Sequence, residues 1–158
     1  MFSINNKTNS LTVRVLKTLL LSATLIGVSA NSALAKSSDI PIQFVKGAIS
    51  STTTGKLNPN ENERWYHFQA ERSQYAVINI LPLAGTPETA NVGILHMPNG
   101  TYDGTKGGII YQGCLPKTGA YRLRIARNLM ATEGKTAGYK VEMVILPKYA
   151  SESLCRNL

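Results

Sequence analysis

The stretch Tyr121-Arg122-Leu123-Arg124-Ile125 decides the fold, and its partner Tyr139-Lys140-Val141-Glu142-Met143-Val144-Ile145 repeats the lesson. Apolar residues alternate with charged ones at a period of two. A strand with one dry face and one wet face reads this way, and a helix does not. Working outward, Tyr75-Ala76-Val77-Ile78-Asn79-Ile80-Leu81 has the β-branched density of a buried strand and stops at Pro82. Trp65-Tyr66-His67-Phe68 reads as an aromatic strand, Asn91 to Met97 as another, and Ile109-Ile110-Tyr111 as a short one. A further short strand is expected at Ile42 and Phe44, ended by Lys46-Gly47. Pro98-Asn99-Gly100 is a turn signal, because Gly supplies positive φ there. The glycines at 100, 104, 107 and 108 surround Asp103 and Lys106 and read as a mobile surface loop. After residue 36 no window holds a sustained apolar stripe of helical period, and 129–135 has room for one helical turn at most. About seven short strands separated by turn residues predict an all-β fold: an antiparallel two-sheet β-sandwich or jelly roll.

The N-terminus follows different rules. Lys7, Arg14 and Lys17 precede the apolar run Leu19 to Val28, and no acid occurs before Asp39. Ala33-Leu34-Ala35 supplies the small-x-small pattern of a cleavage site. Residues 1–35 are therefore expected to be a cleaved signal peptide and 36–158 one β-sandwich domain, placed in the periplasm or secreted. The run is short for a bilayer span, and no later segment is apolar enough for one, so no membrane association is expected after cleavage. The remainder carries 14 Lys and Arg against 9 acids. That balance suits an acidic partner, yet the cations are scattered and form no run. In the oxidising compartment that an exported chain reaches, Cys114 and Cys155 are expected to pair. Closing a loop of about 42 residues would stabilise the fold by roughly 4 kcal/mol and fasten the tail.

No constellation of catalytic residues emerges. His67 and His96 are too few for a His-rich metal site and stand in no His-Glu-x-x-His pattern, so no metal or other cofactor is expected. The nine carboxylates show no glycosidase-like spacing, and there is no Gly-x-Ser-x-Gly elbow or phosphate-cradling glycine loop. Nucleic-acid binding would require aromatics and arginines on one face. Tyr121 falls opposite Arg122 and Arg124, which argues against it. The expectation is a protein that binds and does not catalyse, with function carried by loops on a rigid sandwich. The richest loop segment follows Ile125: Arg127 offers a fork of donors suited to a carboxylate, beside the amide of Asn128. Arg127 equally suits capping the carbonyls at a strand end.

These residues belong to a longer collinear series. It runs Phe44-x-Lys46-Gly47-x-x-Ser50-Ser51, Gly55-x-Leu57, Tyr66-x-Phe68-x-Ala70 and Gln74. It continues with Leu115-Pro116-x-x-Gly119-x-Tyr121-x-Leu123-Arg124-Ile125, Arg127-Asn128 and Tyr139-x-Val141-x-Met143-x-Ile145. In order and spacing it resembles the periplasmic inhibitors of g-type lysozyme, whose fold is similar to the pre-peptidase C-terminal β-sandwich. The resemblance implies an exported inhibitor whose loops enter the cleft of a lysozyme and block its acidic catalytic residue. The partner contact is expected at Arg127 and Asn128, with Arg124 supporting from the wet face of its strand and Asn60 in the neighbouring turn. The chain departs from the family in two places. Asn58-Pro59-Asn60 stands where the family has an aromatic turn, and Ala131-Thr132 where it has a second arginine. The alternative class is a non-catalytic envelope module binding glycan or protein, for which Tyr102 and Tyr111 supply the only aromatic hint.

Overall fold

The computed structural model describes residues 39–156. The expected signal peptide at 1–35 lies outside them. Ten strands and one short helix follow in order: β1 (Ile40–Pro41), β2 (Ser50–Leu57), β3 (Glu63–Ala70), β4 (Tyr75–Pro82), β5 (Glu88–Thr89), β6 (Val92–His96), β7 (Tyr102–Lys106), β8 (Gly108–Cys114), β9 (Gly119–Ala126), β10 (Ala137–Ile145) and α1 (Lys148–Ser151). One sheet has the order β1-β3-β9-β6-β7 and the other β2-β10-β4-β8, with β5 added in parallel beside β10. Apart from β1 on β3 and β5 on β10, every pairing is antiparallel. The all-β sandwich expected from the alternation is the observed architecture.

The core sits between the sheets, where the inward set of each strand meets. Tyr66 and Phe68 of β3, Leu123 and Ile125 of β9, Ile78 and Ile80 of β4, and Val141 and Met143 of β10 are all buried. The stacked rings of Phe68 and Tyr121 lie 5.4 Å apart, and Tyr139 meets Tyr66 edge-on. Tyr139 also explains a glycine of the sequence series. Gly55 is its cross-strand partner, and a Cβ there would stand 2.2 Å from the Tyr139 hydroxyl. Burial pushes the Tyr139 phenol well above its ordinary range, with the Tyr66 hydrogen bond adding to the effect, so it stays neutral.

Two local expectations are corrected and two elements are added. The segment 100–108 is not a mobile loop: Tyr102–Lys106 pairs with β6, and Gly107 and Gly108 turn the chain into β8 at φ 93° and 78°. The short strand expected at Ile42 and Phe44 lies earlier, at Ile40–Pro41, with Ile42 continuing one hydrogen bond to His67. β2 was illegible because Ser50 to Lys56 contains no large apolar residue, yet β10 pairs with it along its length. Finally, α1 exists and is held by Ser151, whose buried hydroxyl accepts the Tyr75 N–H and is within hydrogen-bonding distance of the Leu146 and Pro147 carbonyls. No helical turn forms at 129–135. The Cys114–Cys155 disulfide is present and ties the segment after α1 to the end of β8.

Candidate functional site

Arg127 follows the last residue of β9 and turns inward. Its side chain is 2% exposed. Nε donates to the Glu61 carbonyl at 2.8 Å, and Nη2 donates to the carbonyls of Leu57 (2.7 Å) and Asn58 (2.6 Å). Nη1 donates to Glu88 Oε2 at 3.0 Å and to the Lys135 carbonyl. All five guanidinium N–H groups thus have acceptors inside the protein. Of the two readings left open by the sequence, the carbonyl cap is the geometry observed. An exposed fork reaching a partner's carboxylate is not.

Glu88, at the start of β5, completes the arrangement. Its Oε1 accepts the backbone N–H of Glu133 (2.8 Å) and Lys135 (2.9 Å), while Oε2 accepts Arg127 and the Thr132 hydroxyl. The Thr132 hydrogen bond, then the Lys135 and Glu133 amides and the Arg127 charge, hold this carboxyl below the usual glutamate value of 4.5. Three segments converge on the pair: 57–62 after β2, the start of β5, and 127–136 between β9 and β10. The first is tightened further by Glu61, which accepts the Asn58 N–H and two contacts from Arg64.

The other expected contact residues stand around this clamp. Asn128 is half-buried, and its Oδ1 accepts the Met130 N–H at 3.3 Å, shaping the loop tip. Leu129 and Met130 project from it, 65% and 92% exposed. Asn60 is exposed in the adjacent turn. Between the tip and the sheet lies a groove of about 300 Å³ lined in part by Asn62, Val92, Lys106, Arg124 and Met130. Asn128 and Arg124 therefore share a groove, whereas Arg127 forms its floor.

Arg124 belongs equally to a second cluster that sequence reasoning missed. On the outer face of the β1-β3-β9-β6-β7 sheet, Trp65, His96 and Tyr102 form a strip. Ring centroids are 5.1 Å apart for Trp65–His96 and 6.0 Å for His96–Tyr102. The guanidinium carbons of Arg122 and Arg124 lie 4.3 and 5.9 Å from the Trp65 ring centroid. Arg122 donates twice to Asp39, and Arg124 donates to Glu63 Oε2 at 3.0 Å. Glu63 Oε1 accepts the Trp65 indole N–H at 2.8 Å. The indole hydrogen bond, then Arg124, lowers the Glu63 pKa, and the Arg122 hydrogen bond lowers that of Asp39. Burial, then the nearby Arg124 and Arg122 charges, lowers that of His96, which is neutral at pH 7. Tyr121, which the alternation sets opposite these arginines, is fully buried. The aromatics that do share a face with the arginines come from β3, β6 and β7, which only cross-strand register brings together. Tyr111, the other aromatic hint, is buried with its hydroxyl on the Cys114 carbonyl. Among the described residues no group of three His, Cys, Asp or Glu is placed to hold a metal ion.

No protein-family model matches the sequence, and no curated protein matches it. Solved structures do match. The PliG of Aeromonas hydrophila, a periplasmic lysozyme inhibitor of g-type lysozyme, superposes with a TM-score of 0.53 at 20% identity, over 68% of this chain and 96% of that one. The Salmonella Typhimurium PliG gives 0.50 at 23% identity, over 68% and 97%. A mutant of the Escherichia coli PliG gives 0.50 at 22%, over the same shares. The chain has the β-sandwich fold of these g-type lysozyme inhibitor structures.

Proposed function

We propose that this chain is an exported protein that inhibits a g-type lysozyme by placing its Arg127-organised loop end in the enzyme's cleft. The observation that carries the reading is the clamp itself. A buried guanidinium draws three loop segments onto one point and leaves Leu129 and Met130 standing clear of the sheet. A loop tip fixed before binding loses little freedom on docking, which favours tight association without chemistry. The fold shared with PliG structures and the collinear sequence series support the same reading.

In this proposal Asn128, Asn60 and the Leu129–Met130 tip touch the partner, and Arg124 and Lys106 line the side of the groove facing it. Arg127 is a positioning residue: it acts through the loops and does not itself reach the partner's catalytic acid. Residues 1–35 direct export to the periplasm, where the disulfide persists.

The test is residual activity of g-, c- and i-type lysozymes titrated with the purified protein. Inhibition of the g-type enzyme is expected, and full activity at micromolar excess would end the proposal. Met130→Ala, at an exposed site, separates contact from folding. It should weaken inhibition while leaving the melting temperature unchanged.

A further inference from the structure

The strip on the outer face of the β1-β3-β9-β6-β7 sheet takes no part in the loop-end clamp, and its chemistry differs from that of an anion site. Each arginine already has a carboxylate: Asp39 for Arg122 and Glu63 for Arg124. Charges cancel in pairs, so a polyanion laid along the strip would set its phosphates against Asp39 and Glu63. What remains is a set of fixed donors and acceptors beside an exposed ring. Among the described residues no protein acceptor meets Arg122 Nη1 or Arg124 Nη2. The pairs hold both guanidinium planes in place, and Trp65 is itself tethered through its indole N–H to Glu63. Because Arg122 lies over Trp65, the ring free for stacking is that of Tyr102, which is 72% exposed.

Next to Tyr102 the surface opens into a groove of about 370 Å³ lined by Val92, Ile94, Gly104, Thr105 and Lys106. Gly104 keeps the floor low: a Cβ there would stand 2.7 Å from the Gly93 carbonyl oxygen. An open ring face, a shallow apolar floor and charge-neutral, geometrically fixed hydrogen-bonding pairs suit one class of ligand. It has flat C–H faces, many hydroxyls and no net charge.

We propose that this strip binds an uncharged oligosaccharide of hexose or N-acetylhexosamine units, with Tyr102 stacking on a sugar ring and the Arg122–Asp39 and Arg124–Glu63 pairs bonding its hydroxyls. This assignment does not rest on lysozyme inhibition, and its test contains no lysozyme. Trp65 is the only tryptophan in the chain, so its fluorescence reports on the strip alone. The purified protein is titrated with the β-1,4-linked hexamer of N-acetylglucosamine. A saturable change in emission is expected, with affinity nearly constant between about 50 and 200 mM salt, because no counterions are released. Tyr102→Ala, at an exposed site, should weaken binding by about tenfold or more through loss of its stacking face. Lys140→Ala, on the opposite sheet, should leave it unchanged. No saturation up to about 10 mM hexamer, a range that would register even millimolar affinity, would overturn the assignment. Wild-type affinity in Tyr102→Ala would overturn it as well. Tighter, steeply salt-dependent binding of a thymidine oligonucleotide than of the hexamer would replace it with a single-stranded nucleic-acid site.

Discussion

Two arginines three residues apart, Arg124 on β9 and Arg127 just past its end, finish in opposite circumstances. Arg127 is enclosed by carbonyls and one carboxylate, its five donors all taken, while Arg124 lies on the wet face with a single partner and an unsatisfied Nε. A buried guanidinium that collects backbone acceptors fixes loop geometry. A half-buried one beside aromatic rings and a carboxylate keeps Nη2 without a protein acceptor among the described residues, a donor left for a ligand. The same side chain therefore builds a site in one region and furnishes one in the other. Which role it takes depends on whether its neighbours leave any donor free.

The sharpest way to break this contrast is to delete each arginine. Arg127→Ala leaves Glu88 without its cationic partner and several carbonyls without donors, so it should cost about 3–5 kcal/mol of stability. Urea unfolding measures this directly, and a loss below about 1 kcal/mol would mean that the clamp is ornamental. Arg127→Lys should restore only part, because one ammonium cannot meet five acceptors. Cys155→Ser removes the anchor of the C-terminal segment, which belongs to neither region. It should lower stability by about 2–5 kcal/mol. Lysozyme inhibition and hexamer binding, measured well below the melting temperature, should both survive it.

Replacing the clamp carboxylate should distinguish the regions next, on titration with acid. The Glu88 carboxyl is held below the ordinary glutamate value, so its contribution to stability is present above that value and is lost as pH falls through its folded pKa. Asp39 and Glu63 are lowered too and carry the same sign. Glu88→Gln should flatten only part of the fall in melting temperature on titration from about pH 6 to pH 3. An unchanged acid profile would show that the clamp carboxylate is not what titrates. The smallest effect is expected from Arg122→Ala, whose exposed ion pair with Asp39 should contribute within about 1 kcal/mol. A larger loss would make the outer strip structural, like the clamp.

Much of the sandwich could be read along the chain because alternation is local. Inward Tyr121, Leu123 and Ile125 and outward Arg122 and Arg124 occupy the faces the pattern assigns. β2 escaped because its threonines and serines form an edge strand whose pairing, not its apolarity, places it. The strand of the glycine-rich segment escaped because Gly107 and Gly108 make a turn that sequence cannot distinguish from a loose loop. At the candidate site, Asn128 and Asn60 stand at the loop end, whereas Arg127, expected to grip the partner, is enclosed as the carbonyl cap that was the other reading of its position. Glu88 and Thr132 were missed as partners of Arg127, since nothing local marks residues 39 and 5 positions away as its acceptors.

Sequence alone therefore determined the all-β class, the inward and outward sets of the long strands, and the presence of two cysteines able to bridge. These follow from period and composition, which each segment carries by itself. Tertiary structure alone decided that Arg127 is enclosed, that Glu88 meets it, and that Trp65, His96 and Tyr102 line up beside Arg122 and Arg124. Those facts depend on register between strands distant in the chain, and register is set by how two sheets close over one core.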